Sequence, residues 1–163
     1  DWQAFEAELQ PQKLDVSMPV RLQAVHLGER APYPEFDRSD VFVGVLVDMA
    51  REFLSKLGIE FGLRTVRQAR NYAFESRRLG LDDATLLNNF ILHKVLPKLM
   101  LDGSKKVSEG ITRKDVLQQM RVFLEQRIEA LDGISGEVSC IAELDELLRN
   151  AEANDWVVNY WAR

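Results

Sequence analysis

The side chains best placed to do chemistry are two arginines that follow a glycine-containing segment, Leu57-Gly-Ile-Glu-Phe-Gly-Leu-Arg64. The glycines predict a loop followed by a helix, with Arg64 in the first turn and Arg67 one turn later. A guanidinium is always charged, and its planar fork of donors matches a phosphate group. A rigid helix could therefore hold Arg64 where it stabilises charge on a transferred phosphoryl group. The alternative is a surface arginine, or one paired with Glu60.

The chain lacks the loops that bind the phosphates of a nucleotide. Neither GxxxxGK[ST] nor GxGxxG occurs in its 163 residues. The first residues, Asp1-Trp2-Gln3, include no initiating Met and no signal-peptide pattern. We therefore expect the chain to be part of a longer protein, with any phosphate-binding loop outside it.

Other polar residues give weaker indications. Arg70, Arg77 and Arg78 continue the basic helix, which is typical of a solvated helix face. Helical spacing places His93 on or near the side of Phe90 and Leu96, so we expect it to be partly buried, and no spacing of histidines and carboxylates suggests a metal site. The single cysteine, Cys140, excludes an internal disulfide and is predicted to pack in the core. The aromatic residues near the C-terminus are predicted to be packing residues.

Composition excludes several classes of protein. The net charge of −5 argues against a surface that coats DNA, since such domains are usually basic. No apolar run approaches the roughly 20 residues that a membrane-spanning helix needs. The low cysteine content is typical of a reducing compartment, so we expect a cytoplasmic protein with no membrane partner.

Local patterns predict a mainly α protein, a bundle of about five helices with a small β element formed near the N- and C-termini. Apolar residues recur at helical spacing in five segments, approximately 41–57, 63–79, 84–96, 114–131 and 138–152. Residues 20–25 alternate and predict a strand, and the aromatic tail 155–161 predicts another that would pair with it. Residues 102–106 predict a polar loop. We divide the chain into an N-terminal extension, 1–36, with a short strand or hairpin, and a helical domain, 37–163.

Three motifs carry a resemblance to a known family. They are Leu57-Gly-Ile-Glu-Phe-Gly-Leu-Arg64 with the helix that runs on to Tyr72, the helix end Asn89-Phe-Ile-Leu-His-Lys-Val-Leu-Pro-Lys-Leu99, and the tail Asn159-Tyr-Trp-Ala-Arg163. In order and spacing they resemble the C-terminal helical lid of McrB-type AAA+ NTPases, the GTP- or ATP-driven subunits of modification-dependent restriction systems. The tail departs from the family pattern at Ala162, which separates the last aromatic residue from the final arginine.

The resemblance implies a function for the whole protein. In AAA+ motors the lid supplies a sensor-2 arginine to the terminal phosphates of the nucleotide, and position assigns this role first to Arg64 and second to Arg67. ATP or GTP with Mg²⁺ would be bound by the parent protein and not by this fragment alone. The implied partners are neighbouring AAA+ subunits of the same chain in a hexameric ring, a nuclease subunit, and DNA contacted indirectly through the parent.

Two other functions fit the residues. A free-standing helical protein-interaction adaptor would account for the acidic balance and for the lack of catalytic motifs. A helical DNA-binding module would use the basic helix, with Arg67 and Arg70 on phosphates. A GxxxxGK[ST] motif upstream in the same protein would distinguish the NTPase from both.

Overall fold

The structure is a computed structural model that describes residues 40–131 and 139–162. The described residues belong to the second of two compact units of the chain, Tyr33–Arg163. The predicted strand at 20–25 and the predicted extension 1–36 lie outside the described residues.

Five helical segments form the body, close to the bounds that the sequence predicts. Helix α1 comprises an α-helical part (Val41–Met49), a π-helical part (Ala50–Leu54) and a last α-helical turn (Ser55–Leu57). Helix α2 is Leu63–Arg78. Helix α3 comprises Asp83–Phe90, a π-helical part (Ile91–Val95) and a 3₁₀ turn (Leu96–Lys98). Helices α4 and α5 are Arg113–Glu129 and Cys140–Ala153.

Local chemistry accounts for where these helices begin and end. The carboxylates of Asp40 and Asp82 accept hydrogen bonds from the backbone N–H groups of the first turns of α1 and α3, and a capping box at Thr112 starts α4. Gly58 ends α1 in the left-handed conformation, with φ of 78°. Pro97 lies in the 3₁₀ turn that ends α3, where it has no N–H to continue the helical ladder.

In the part of the chain that the structure describes, four short strands form two antiparallel pairs. Strand β1 (Met100–Asp102) pairs with β4 (Val157–Asn159), and β2 (Lys106–Ser108) pairs with β3 (Ile111–Thr112). In the first pair Leu101 lies opposite Val158. The predicted terminal strand is confirmed, and β1 is its partner among the described residues. The prediction of a polar loop at 102–106 is only partly right. Residue 102 ends β1 and residue 106 begins β2, and the β2–β3 hairpin follows.

One apolar core joins the helices and the β1–β4 pair. Its largest fully buried side chains include Phe42, Leu46, Met49, Leu87, Ile91, Leu117 and Met120. The rings of Phe42 and Phe90 meet edge to face at 5.8 Å, and Leu101 and Val158 face the same core. The predicted fold class is therefore confirmed: the protein is mainly helical with small antiparallel sheets. Within residues 40–131 and 139–162, no helix is long and apolar enough to cross a membrane.

Candidate functional site

The loop between α1 and α2 delivers Arg64 to the first turn of a long helix. Gly58 reverses the chain, and the N–H of Ile59 binds the carbonyl of Leu54 at 2.9 Å. Gly62 is the N-cap of α2 and supplies no side-chain acceptor. The N–H of Thr65 already binds the carbonyl of Gly62 at 2.9 Å, and the helix dipole adds partial positive charge at this end of α2, next to the Arg64 guanidinium.

The two predicted site residues, Arg64 and Arg67, are exposed and have no polar side-chain partner among the described residues. Over residues 40–131 and 139–162, neither Arg64 nor Arg67 forms a side-chain hydrogen bond or an ion pair. The alternative pairing of Arg64 with Glu60 is not formed. The structure therefore leaves two cations, one turn apart, available at the N-terminal end of α2.

The C-terminal end of the same helix is different. The Arg77 guanidinium donates to Asp83 (2.8 Å, from Nε) and to both carboxylate oxygens of Asp40 (2.7 and 3.1 Å). These bonds hold the pKa of Asp40 below its usual range. Arg77 is exposed, as expected for a solvated helix face, and its ion pairs also join the starts of α1 and α3. Arg78 forms an ion pair with Glu75 at 3.2 Å.

A second paired arginine lies on α4. The Arg121 guanidinium donates through Nε and Nη2 to the Asp145 carboxylate on α5, at 2.8 and 3.1 Å, and also donates to Glu125. The ion pair of Arg121 with Asp145 holds α4 against α5. Arg64 and Arg67 thus differ from Arg77 and Arg121, whose charge is already neutralised within the domain.

The three motifs that carry the family resemblance meet at the end of α3. Lys98 Nζ donates to the carbonyl oxygen of Glu60 in the α1–α2 loop at 3.1 Å. From the tail, Trp161 Nε1 donates to the carbonyl of Pro97 at 3.1 Å, and the N–H of Tyr160 binds the carbonyl of Leu99 at 3.1 Å. These bonds tie the loop that precedes Arg64 and the tail, each separately, to the end of α3.

Other predictions of single residues are partly confirmed. Cys140 is buried in the core as expected, and burial raises the pKa of its thiol to about 12. His93 is exposed rather than partly buried, and Trp161, expected to pack, is largely exposed. Among the described residues, no three His, Cys, Asp or Glu side chains are grouped so that they could hold a metal.

The sequence reasoning missed the buried Asn88. Its side-chain oxygen accepts the N–H of Cys140 at 2.7 Å, at the first residue of α5. The only local signal was an asparagine among apolar residues of α3, and it did not indicate the partner 52 positions away.

Comparison with known proteins gives one match. Residues 19–156 match a protein family described as a domain of unknown function (DUF8727). No curated protein and no solved structure matches the chain.

Proposed function

The chain belongs to the DUF8727 family, and we propose that its helical region is the lid subdomain of an AAA+ NTPase of the McrB type. In this proposal Arg64 contacts the terminal phosphates of the nucleotide and Arg67 supports it from the next turn. The proposal rests on the site and on the resemblance of the three motifs, since the family description assigns no function.

The observation that carries the proposal is that the Arg64 guanidinium forms no ion pair among the described residues. A guanidinium that stabilises the fold has acidic partners within the domain, as Arg77 and Arg121 do. Arg64 is exposed, lacks such a partner among the described residues, and extends from a helix end that itself attracts anions. Its side chain can therefore donate to a phosphate without breaking any interaction described in the domain.

The residues present fit one part of a nucleotide site. Arg64 and the first turn of α2 suit the oxygens of a terminal phosphate, but the chain has no phosphate-binding loop, and its described residues hold no group of metal ligands. ATP or GTP with Mg²⁺, bound elsewhere in the parent, would supply the phosphoryl group. Arg64 would place a fixed positive charge where negative charge develops.

The setting of this motor follows from the resemblance. The parent would assemble with further copies of itself in a hexameric ring, couple hydrolysis to movement between subunits, and act in the cytoplasm. A nuclease subunit would cut DNA in a restriction or defence system. These features belong to the whole protein and its partners, so they are tested on the whole protein.

Nucleotide turnover by the full-length protein tests the proposal. We expect Arg64→Ala to lower the turnover of ATP or GTP by about 10²-fold, the effect of removing one charge-stabilising donor. Arg78→Ala, at the other end of α2, is the matched control and should retain turnover, because Arg78 is an exposed arginine whose ion pair, with Glu75, lies within its own helix. Unchanged turnover in Arg64→Ala, or a full-length protein without NTPase activity, would refute the proposal.

A further inference from the structure

The α1–α2 loop is anchored on its inner side by two apolar side chains. Ile59 and Phe61 both pack against the core, and the Phe61 ring meets the ring of Phe90 edge to face at 6.4 Å. Glu60 lies between these two residues and is exposed. The loop therefore has an inner side fixed by the core and an outer side at Glu60 that the core does not fix.

A lysine from the end of α3 holds the outer side of the loop. Lys98 Nζ donates to the carbonyl oxygen of Glu60 at 3.1 Å, across 38 positions of sequence. In the described part of the chain, no carboxylate forms an ion pair with Lys98. A hydrogen bond from a charged donor is stronger than one between neutral groups. The contact that the structure assigns to the Lys98 ammonium group is therefore with the backbone of the loop.

The backbone on both sides of Lys98 is fixed by the C-terminal tail. The carbonyl of Pro97 accepts the indole N–H of Trp161 at 3.1 Å, and the carbonyl of Leu99 accepts the backbone N–H of Tyr160 at 3.1 Å. A side chain can hold a loop in place only when its own backbone is held. Lys98 meets this condition, because bonds to the tail lie immediately before and after it.

The start of α2 depends on the loop more than the starts of the neighbouring helices do. Asp40 and Asp82, the N-caps of α1 and α3, bond the first turns of their helices through their side chains. Gly62, the N-cap of α2, has no side chain to do this. Arg64 follows two residues later, in the first turn. Its position is therefore set by how the preceding residues, Glu60 among them, are held.

We propose that Lys98 is a positioning residue for Arg64: its bond to the Glu60 carbonyl holds the start of α2 where the guanidinium meets the terminal phosphate. The inference rests on the proposed function and adds to it a residue from another helix. A shift of about 1 Å in a group that stabilises the transition state can lower the rate by up to about 10²-fold. Lys98 acts through Arg64, so its removal cannot cost more than the removal of Arg64.

Nucleotide turnover by the full-length protein carrying Lys98→Met, Arg64→Ala or both changes tests the inference. Methionine keeps a long apolar side chain and removes the donor. We expect Lys98→Met to lower turnover at saturating nucleotide by about 3- to 10-fold, the effect of one lost hydrogen bond. Lys98→Arg should restore turnover, because a guanidinium can donate to the same carbonyl. In the Arg64→Ala background, Lys98→Met should change turnover by less than about 2-fold.

Hydrogen exchange without nucleotide provides a readout that does not depend on catalysis. The N–H groups of Thr65 and Val66 bind the Gly62 carbonyl at 2.9 and 3.2 Å, so they report on the start of α2. Their exchange should become at least about 3-fold faster in Lys98→Met. Lys94→Met is the matched control, since Lys94 is exposed on the same helix and forms no hydrogen bond or ion pair among the described residues. It should change neither turnover nor exchange.

The outcomes separate this inference from the proposed function. A loss of turnover in Arg64→Ala with wild-type turnover in Lys98→Met would overturn the inference and leave the proposed function in place. A loss in Lys98→Met that is equally large in the Arg64→Ala background would also overturn it, since Lys98 would then act without Arg64. Unchanged exchange at Thr65 and Val66 would overturn it without reference to nucleotide. Full turnover in Arg64→Ala would refute the proposed function, and the inference with it.

Discussion

Replacing Asn88 by alanine should destabilise the fold by more than the loss of so small a side chain would by itself. Asn88 is 3% exposed, and its side-chain oxygen accepts the N–H of Cys140, itself fully buried. Without that acceptor, a buried N–H at the start of α5 has lost its partner, which costs about 1–3 kcal/mol. The small cavity increases the loss of stability by about 1 kcal/mol. The higher helix propensity of alanine offsets about 0.5 kcal/mol of this loss.

The net expectation is a loss of about 2–3 kcal/mol in the free energy of unfolding, measured by urea denaturation followed by circular dichroism. The melting temperature should fall by roughly 5–12 °C for a chain of this size. Asn89→Ala is the control, because Asn89 is half-buried and accepts only a bond of 3.3 Å from the Asn88 amide. If Asn88→Ala unfolds within about 0.5 kcal/mol of wild type or of the control, the role assigned to this buried bond is wrong.

Three further predictions concern single residues. The Arg77 guanidinium lowers the pKa of folded Asp40 below its ordinary value of 3.8, so this pairing stabilises the fold above about pH 4 and is lost as the pH falls through the folded pKa. Arg77→Ala should therefore cost about 0.5–1 kcal/mol at pH 7, discounted for solvent screening, and less at pH 2 in acid titrations of stability. Gly58→Ala should cost about 1–2 kcal/mol in urea denaturation, because φ is 78° and the new Cβ would lie 2.9 Å from the Arg113 guanidinium. Cys140 should resist iodoacetamide at pH 8 in the folded protein and react only on unfolding, because burial raises its thiol pKa to about 12.

Each of these has a result that would contradict it. Equal losses for Arg77→Ala at pH 7 and pH 2 would exclude the ionised Asp40 pairing as the cause. Gly44→Ala is the control for Gly58→Ala: it lies inside α1 with open space around its Cβ position and should stabilise by about 0.5–1 kcal/mol. A similar loss at both glycines would show that the left-handed conformation is not responsible. Rapid labelling of Cys140 under native conditions would contradict its burial.

The sequence predicts the helices well because their signals are local. Apolar spacing marks the buried side of each helix, and Asp40, Gly58 and Asp82 mark ends through bonds to residues a few positions away. His93 shows where this reasoning fails. A helical wheel with 3.6 residues per turn places it beside Phe90, but residues 91–95 form wider π-helical turns that shift the phase, and His93 is exposed.

Long-range contacts were not predictable in the same way. The pairing of β4 with β1 joins positions more than 50 residues apart, through strands of only three residues. The bonds from Arg77 to Asp40 span 37 positions. The place of Arg64 in the first turn of α2 follows from the glycine-containing loop, but its lack of an acidic partner depends on where each carboxylate lies in the folded domain.

The most direct test of the central claim compares the affinities of the full-length protein for a nucleoside triphosphate and the matching diphosphate. A guanidinium on the terminal phosphate contributes only to binding of the triphosphate. We therefore predict that Arg64→Ala weakens triphosphate binding by roughly 10-fold or more, the effect of a lost charged hydrogen bond, and leaves diphosphate binding unchanged. Equal weakening of both, or no change in either, would contradict the assignment of Arg64 to the terminal phosphates.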